Sequence, residues 1–441
     1  MPSAAEQLAA NFSFNNLGKA TELRQRIFFT LGALIIARLG TYIPLPGVDP
    51  QAFGKMMQNA GGLLDIFNVL TGGAASRMAI FALGIMPYIS ASIIIQLMTT
   101  VFPDLEALKK EGEAGRKTLN QYTRYGTVAL AAVQAFGIAI GLQSQPGVVI
   151  DPGPFFLFTA IITLTGGTIL LMWIGEQITS RGVGNGISLI IFAGIVARFP
   201  QTIAQVFESA RTGSIGPLLL IFLMVGAVGL VMLIVFMERA QRRLLVQYPK
   251  RQVGNRMFGG EASHLPLKLN VAGVIPPIFA SSILLFPVTI ASFNAQNIPE
   301  WLQTMVAYIG PGQPLYLILY GAMTIFFAFF YTSIVFNPEE TAENLKKYGG
   351  FIPGIRPGKK TAEYIDYVLT RTTVVGAIYL AFVCLIPEFL REEAIQLAMG
   401  GTSILIIVSV TMDTVAQIQS HLIAQQYEGL IKRAKLRGSR R

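Results

Sequence analysis

Hydrophobic and polar positions are arranged along this chain in long blocks. Ten apolar runs are long enough, or nearly long enough, to cross a bilayer, for which about twenty helical residues are needed. In chain order they cover residues 27–43, 78–98, 125–142, 155–174, 183–199, 217–237, 271–293, 314–336, 372–386 and 400–418. The pattern therefore predicts ten membrane-spanning helices, with short fifth and ninth runs whose ends are the least defined.

A shorter amphipathic stretch lies between the first and second runs. Leu63, Ile66, Phe67 and Leu70 follow the i, i+3, i+4, i+7 spacing that places apolar side chains on one helix face. This stretch has about ten residues, half the length of a span. Pairs of glycine flank it at 61–62 and 72–73, where the backbone is free to flex. The pattern predicts a short helix on two hinges, a movable stopper, at about residues 61–73.

The composition agrees with this membrane architecture. Hydrophobic residues make up 52% of the 441 residues and charged residues 13%, whereas an average soluble domain has about 25% charged residues. The formal net charge is +10. Because the body of such a protein is apolar, the excess positive charge belongs in loops that face an anionic surface, such as lipid headgroups or RNA.

Lysine and arginine are concentrated in alternate loops. Of 34 such residues, about 27 lie in the N-terminal segment, in the loops after the second, fourth, sixth and eighth runs, and in the C-terminal tail. The intervening loops hold four. Since cytoplasmic loops collect these residues, the distribution predicts that both termini are cytoplasmic and supports the count of ten spans.

Charged residues within the apolar runs are few. Arg38 lies in the first predicted span, Glu176 at the cytoplasmic end of the fourth, and Asp413 near the cytoplasmic end of the tenth. Ion-coupled transporters usually carry ionisable groups near the middle of the membrane. Here the middles of the runs hold mainly glycine, serine, threonine and isoleucine, which disfavours a secondary transporter for a small solute.

Residues for catalysis or metal binding are also scarce. Cys384 is the single cysteine, and the two histidines, His264 and His421, are far apart in sequence. We therefore expect no disulfide, no metal centre and no cofactor. No nucleophile and base form a recognisable pair, so a membrane enzyme is the least favoured class. The residues before Leu23 are polar and predict no cleavable signal peptide.

Two long basic loops are the main candidates for partner binding. The loop at about 239–270 holds a short apolar patch between basic residues, which predicts a basic hairpin. The loop at about 337–365 carries the turn-rich sequence PGIRPG, which presents Arg356 at its tip. A single such charge is usually an orientation signal or a lipid contact. Two basic loops on one side favour a large anionic partner, such as ribosomal RNA.

Six motifs in order along the chain resemble the SecY family, the central subunits of bacterial protein-translocation channels. They are YIPLPG at 42–47, FALGIMPYISASIIIQ at 81–96, KEGEAGR at 110–116, RGVGNGIS at 181–188, LPLK at 265–268 with AGVIP at 272–276, and PGIRPG at 353–358. The resemblance runs from about Arg24 to the tail.

The resemblance implies an all-α integral membrane protein with ten transmembrane helices. Spans one to five and six to ten would form two inverted five-helix halves, arranged as a clamshell with a short plug helix. The implied parts are a cytoplasmic N-terminal segment at 1–22, halves at 23–215 and 216–420, and a basic cytoplasmic tail at 421–441. The stopper at about 61–73 would be the plug.

The resemblance also implies roles for individual residues. A pore between the halves would narrow to an aliphatic ring of Ile85, Ile89, Ile187, Ile191, Ile278 and Ile406. The plug would present Leu63, Leu64, Ile66, Phe67 and Leu70. A lateral gate between the second and seventh spans would include Ser90, Ile93, Ser281, Ser282 and Phe286. The first four ring positions form two i, i+4 pairs, each on one helix face, although isoleucine is also common in lipid-facing and core positions.

The implied function is a protein-conducting channel in the bacterial cytoplasmic (inner) membrane, not an enzyme. It would pass unfolded secretory polypeptides across the membrane and release hydrophobic segments sideways into it. The implied partners are SecE, SecG, the SecA motor ATPase, the ribosome with its RNA and protein, signal peptides, precursor polypeptides and lipids. The motor or ribosome would dock on the basic loops at Arg242, Arg243, Lys250, Arg251, Arg256 and Arg356.

Overall fold

The computed structural model describes residues 21–59, 71–213, 216–248, 251–253, 256–258, 262–293, 304, 308, 313–390 and 401–438. The helices are α1 Thr21–Gly40, α2 Pro50–Asn59, α3 Met86–Val101, α4 Pro103–Lys110, α5 Glu113–Gln143, α6 Pro154–Arg181, α7 Gly186–Arg211, α8 Pro217–Arg239, α9 Ile275–Phe293, α10 Pro314–Val335, α11 Pro338–Lys347, α12 Lys359–Leu390 and α13 Gly401–Gly438. The strands are β1 Gln241–Gln247, β2 Arg251–Val253, β3 Arg256–Phe258 and β4 Ala262–Lys268. Six of these helices begin at a proline, whose fixed φ suits the first helical turn.

Each of the ten predicted apolar runs overlaps one of these helices. Within the described residues, seven helices are long and apolar enough to cross a membrane, namely α5, α6, α7, α8, α10, α12 and α13. The number is eight if the bent pair α3–α4 is one span. The chain is therefore a multi-pass, mostly helical membrane protein.

The start of the second predicted span was wrong. The apolar run begins at Met78, but residues 71–85 form a chain of turns and the helix begins only at Met86. Glycines in the left-handed region, Gly72 (φ 66°) and Gly84 (φ 57°), lie on either side of Met78, which also has a positive φ of 45°. These backbone angles are incompatible with a continuous right-handed helix.

The turn segment at 71–85 is nevertheless buried over most of its length. Its backbone finds partners outside itself: Leu45 donates its N–H to the Met78 carbonyl at 2.8 Å, and Ile80 donates to the Ile43 carbonyl at 2.9 Å. Irregular backbone is tolerated at membrane depth only where protein covers it and satisfies its polar groups. The apolar composition of this segment therefore reflects contact with protein.

Three short helices, α2, α4 and α11, were not predicted from the apolar pattern. In α2 the first turn is capped by Asp49, whose Oδ1 accepts the Gln51 N–H at 2.8 Å, and Phe53 is fully buried. Helix α4 follows α3 at an angle of 101°, with Phe102 extended between them and Pro103 in the first turn. All three helices are too short to be found in a search for membrane spans.

The chain divides into two compact units. The first comprises Met1–Ile203, Phe286–Thr304 and Val410–Arg441, and the second comprises Ala204–Leu285 and Met305–Ser409. The division differs from the implied halves at 23–215 and 216–420, because it falls inside α7, α9 and α13. The core of the first unit packs the segment after α1, together with α2, against α5 and α6. Its buried members include Leu45, Phe53, Leu83, Ala131, Ala135, Leu142 and Leu164.

A close contact between a helix and the turn segment, and an ion pair between two helices, stabilise the first unit. Gly167 on α6 lies so near the turn segment that a Cβ there would be 2.2 Å from the Ile80 carbonyl oxygen. Arg124 on α5 donates two hydrogen bonds of 2.8 Å to Glu176 on α6. This bidentate pair gives the predicted span charge Glu176 a structural partner.

In the second unit the predicted basic hairpin is present. Strand β1 pairs antiparallel with β4, from Gln241 opposite Lys268 to Gln247 opposite Ala262, and β2 pairs with β3. Alternation along β1 buries Leu244 and Val246 on one face and exposes Arg243 and Leu245 on the other. The hairpin therefore presents one apolar face to the protein.

Candidate functional site

The first part of the candidate site is a pocket inside the first unit. Its lining includes Arg38 from α1, Thr71 and Ile85 from the turn segment, and Ile191 and Gly194 from α7. Two of the six predicted ring residues, Ile85 and Ile191, thus face one space although they are distant in sequence. The empty volume is about 460 Å³, part of it open to the outside.

The turn segment positions Ile85. This residue directly precedes α3, with φ −95° and ψ 0°, and its carbonyl accepts the Ile89 N–H at 3.1 Å. Just before it, Gly84 packs against Thr71, since a Cβ on Gly84 would lie 3.0 Å from Thr71 Cγ2. The close approach of these two residues holds Ile85 at the pocket wall.

The turn between α6 and α7 positions Ile191. Asn185 caps α7 with its side-chain oxygen, which accepts the Ile187 N–H at 3.1 Å and the Ser188 N–H at 3.4 Å. The turn is bonded to two other helices: Val183 donates to Thr30 Oγ1 of α1 at 3.0 Å, and Gly184 donates to Gln417 Oε1 of α13 at 2.9 Å. These bonds fix the start of α7 and hence the direction of its isoleucines.

An apolar contact supports the same turn. Leu23 of α1, Val183 of the turn and Leu422 of α13 are buried together. The roles of Thr30, Gln417 and this contact were not predicted. The only sequence signal for the first two is a hydrogen-bonding side chain in or beside an apolar run, a signal shared by many other positions.

The other predicted ring residues are placed as follows. Ile89, Ile278 and Ile406 are buried, and Ile187 is half-buried against Gly175 of α6. In the second unit, α13 is tied to α10 by a 2.8 Å hydrogen bond between Tyr320 Oη and Thr402 Oγ1. This bond lies one helical turn before Ile406. The ring itself stays a prediction, because its members belong to both units.

The predicted lateral-gate residues lie on α3 and α9. Ile93 is buried and Ser90 half-buried on α3. On α9, Ser281 and Ser282 are buried and both donate to the Ile278 carbonyl, at 2.9 and 2.7 Å. Their hydroxyl groups are therefore satisfied within their own helix. Phe286 lies in the helical backbone of α9.

Most of the predicted plug lies outside the residues that the structure describes. Leu63, Leu64, Ile66, Phe67 and Leu70 lie outside the described residues. The C-terminal end of the predicted segment, residues 71–73, is described and is buried. There the Arg38 guanidinium donates a hydrogen bond through Nη1 to the Gly72 carbonyl. Arg38 was noted as a charge within the first run, but no role was predicted for it.

The second part of the candidate site is a joint surface built from the two basic loops. Gln247 at the end of β1 exchanges two backbone hydrogen bonds with Phe351, of 2.8 and 2.9 Å. Behind this bridge the loops share an apolar core of Leu244, Leu267, Ile352 and Ile365. Gly350 makes the approach possible, since a Cβ there would lie 3.0 Å from the Tyr248 ring. We call this body, residues 241–268 with 336–368, the loop module.

Arg356 lies exposed at the tip of the loop module. Its carbonyl accepts a 3.0 Å hydrogen bond from Thr361 Oγ1 in the first turn of α12, and Gly354 and Gly358 turn the chain on either side with positive φ. The neighbouring Lys360 is paired with Glu363 at 2.8 Å. The tip therefore holds the Arg356 backbone in place and leaves its side chain open to solvent.

The other predicted docking residues lie along the hairpin. Arg242 and Arg243 are exposed on β1. Arg251 and Arg256 lie in β2 and β3, opposite Phe258 and Val253. Lys250 lies outside the described residues. Within the part of the chain that the structure describes, no cluster of three histidine, cysteine or acidic side chains is placed to hold a metal.

Comparisons with known proteins place this geometry in a family context. Residues 79–415 match the family model of SecY. The protein translocase subunit SecY of Rickettsia conorii is 55% identical over 436 residues, which cover 98% of this chain and 100% of that protein.

Two solved structures show the same fold at low identity. One concerns the plug domain of the SecY protein, described as stabilising the closed state of the translocation channel and maintaining a membrane seal; its TM-score is 0.66 at 18% identity, over 90% of this chain and 92% of that chain. The other is Sec61 in the canine ribosome-channel complex from the endoplasmic reticulum. Its TM-score is 0.61 at 17% identity, over 90% of this chain and 92% of that chain.

Proposed function

Because this chain belongs to the SecY family, we propose that it is the protein-conducting channel subunit of a bacterial cytoplasmic membrane. It passes unfolded secretory polypeptides across that membrane and releases hydrophobic segments sideways into it. The observation that carries the proposal is the pocket in which Ile85 and Ile191 face one space beside the glycine hinge at 72–73. An aliphatic wall next to a hinged segment suits a passage that must open and close.

The aliphatic ring acts as a yielding seal. A channel that accepts any sequence must not bind particular side chains tightly, so branched apolar groups suit the narrowest point. An apolar constriction also dewets when it is empty, which opposes the passage of ions. Ile85, Ile89, Ile187, Ile191, Ile278 and Ile406 are the residues to which we assign this role.

The plug and the lateral gate complete the channel. The segment at about 61–73 blocks the passage at rest and moves away when a polypeptide enters. The α3 and α9 helices, which carry Ser90, Ile93, Ser281, Ser282 and Phe286, part to let hydrophobic segments reach the lipid. The solved SecY structure in which the plug domain maintains a membrane seal supports the first assignment by fold.

The driving force comes from a partner. The SecA motor ATPase or a translating ribosome docks on the loop module at Arg356 and along the hairpin, on the cytoplasmic side, where both termini lie. SecE and SecG complete the complex. The exposed arginines of the loop module support this assignment, because a ribosome presents RNA phosphates that pair well with guanidinium groups.

Reconstitution tests the proposal directly. The chain is placed in liposomes with SecE and SecG, and a radiolabelled precursor, SecA and ATP are added. We expect the precursor to become protected from external protease only when SecA and ATP are both present. Lack of protection, together with saturable uptake of a small solute, would contradict the proposal and favour a secondary transporter.

A further inference from the structure

Arg38 is an arginine within the first apolar run whose role the family assignment leaves open. It lies in the last turn of α1 and lines the pocket that Ile85 and Ile191 share. Within the described residues no carboxylate lies within ion-pair distance of it. An arginine in an apolar run is costly and is retained where it makes a specific contact. The contact here is the hydrogen bond from its Nη1 to the Gly72 carbonyl.

The contact holds the Gly72 backbone between two helices. Gly72 has a left-handed φ of 66°. A Cβ on this residue would lie 2.7 Å from Arg38 Nη1 on one side and 2.7 Å from the Gly194 Cα on the other. On the α7 side the backbone fits so closely because Gly72 carries no side chain.

The residues around Gly72 are fixed to the same site. Thr71 is buried and packs on Gly84. Its hydroxyl oxygen accepts the Ala75 N–H at 3.3 Å, and its carbonyl accepts the Ala74 N–H at 3.4 Å. The anchor thus joins a point on α1 to the turn segment that leads directly into Ile85.

Arg77 provides a natural comparison. Its guanidinium lies 4.1 Å from the centre of the Tyr42 ring, and that of Arg38 lies 5.6 Å from the same ring. The two arginines therefore bring similar positive charge to one neighbourhood. Of the two, Arg38 is the one bonded to the Gly72 carbonyl.

We propose that Arg38 is the positioning residue for the resting plug. By binding the Gly72 carbonyl it seats the C-terminal hinge of the segment at 61–73 against α7, and this bond must break when the segment moves. The inference rests on the plug assignment under the proposed function. It adds a specific donor, a specific acceptor and the place where the segment is held.

The test measures how often the hinge at Gly72 detaches from Arg38 and α7. Thr71→Cys is introduced into a Cys384→Ala background, and the rate of modification by a membrane-impermeant maleimide is measured in the complete reconstituted complex. Thr71 is buried, so we expect slow labelling at rest. Arg38→Met removes the donor and keeps much of the side-chain length; we expect it to speed labelling by about tenfold. Arg38→Lys, which can still donate, should restore most of the protection.

Two matched controls distinguish the effect of losing the hydrogen bond from the effects of losing a positive charge and of straining the backbone. Arg77→Met removes a nearby positive charge without touching Gly72 and should leave labelling slow. Gly72→Ala should speed labelling, whereas Gly73→Ala should do so much less. Both glycines have positive φ, but a Cβ on Gly73 meets nothing within 4 Å. Gly72→Ala also serves if Arg38→Met fails to assemble.

Equal labelling rates with and without the Arg38→Met substitution, or an equal rise with Arg77→Met, would overturn the anchor. Resting ion conductance is measured in parallel. If Arg38→Met labels faster, but neither this variant nor a chain lacking residues 59–73 leaks ions, the anchor stays in place and the plug assignment is contradicted. If the deletion variant leaks ions but Arg38→Met labels no faster than the parent chain, the plug assignment stays in place and the anchor is contradicted.

Discussion

Gln247 and Phe351 exchange two backbone hydrogen bonds, of 2.8 and 2.9 Å, although they belong to loops separated by two long helices. The bridge joins the hairpin to the segment that carries Arg356. Because the apolar core of the loop module lies directly behind it, the two basic loops pack into one body. A partner that binds the hairpin therefore meets Arg356 in a fixed position.

The core of the loop module should be required for this rigidity. We expect Leu244→Ala to destabilise the module by about 2–5 kcal/mol, the usual cost of removing a buried leucine side chain. Amide hydrogen exchange at Gln247 and Phe351 should become faster, and trypsin should cut the hairpin sooner. Leu245→Ala is the matched control, since Leu245 is 39% exposed on the opposite face of the same strand and Leu244 is 4% exposed. Equal effects of the two variants would contradict a shared core.

Arg356 should be required for binding the driving partner. We expect Arg356→Glu to lower the affinity for SecA or the ribosome by about tenfold, because it places a negative charge opposite the anionic partner surface that we propose. Binding and precursor transport are measured as a function of salt, and the deficit should shrink at high ionic strength.

Arg211→Glu is the control for this substitution. Arg211 is also exposed, but it lies outside the loop module, at the end of α7, where it pairs with Glu208. Its variant should bind and transport like the parent chain. Normal transport by Arg356→Glu would remove Arg356 from the docking assignment.

Gly167 should be required for seating the turn segment. A Cβ at this position would lie 2.2 Å from the Ile80 carbonyl oxygen, so Gly167→Ala forces the segment and α6 apart. We expect the free energy of unfolding to fall by about 1–3 kcal/mol and the Tm in detergent to be lower. The adjacent Gly166→Ala meets nothing within 4 Å and should be neutral or slightly stabilising. A Tm that falls equally in both variants would show that the close approach is not responsible.

The hinged segment should contribute to the resting seal. Deletion of residues 59–73 removes the predicted plug together with its two glycine hinges. We expect a higher resting ion conductance across reconstituted membranes, while ATP-driven precursor transport continues. Conductance at the level of the parent chain would mean that this segment does not seal the passage.

Much of the fold followed from hydropathy, because membrane spans are the strongest signal that a sequence carries. All ten apolar runs overlap helices, and the basic hairpin lies where its loop was expected. Residues 78–85 of the turn segment were misread as the start of a span, since apolar composition reports burial and does not distinguish lipid from protein. Helix α2 and the bend at Phe102 were missed because they are set by local capping and by proline.

Less of the candidate site than of the fold could be predicted from the sequence. The resemblance supplied Ile85 and Ile191, and the structure brings both to one pocket. Nothing in the periodicity indicated that Thr30 and Gln417 would hold the turn before α7. Their bonds join residues far apart in the chain, a property of tertiary packing. Arg38 was visible as an isolated charge, but its acceptor is a backbone carbonyl, which no sequence pattern marks.

The path of the polypeptide is the central claim, and cysteine crosslinking tests it most directly. In a Cys384→Ala background, single cysteines replace Ile191, Ile406 or Phe222, the last being 62% exposed on α8. A precursor with one cysteine is stalled midway by a folded C-terminal domain. We predict disulfides to the cysteines at 191 and 406 that require SecA and ATP, and none to the cysteine at 222. Crosslinks to 222, or none to 191 and 406 while the precursor is protected from protease, would contradict a passage lined by these isoleucines.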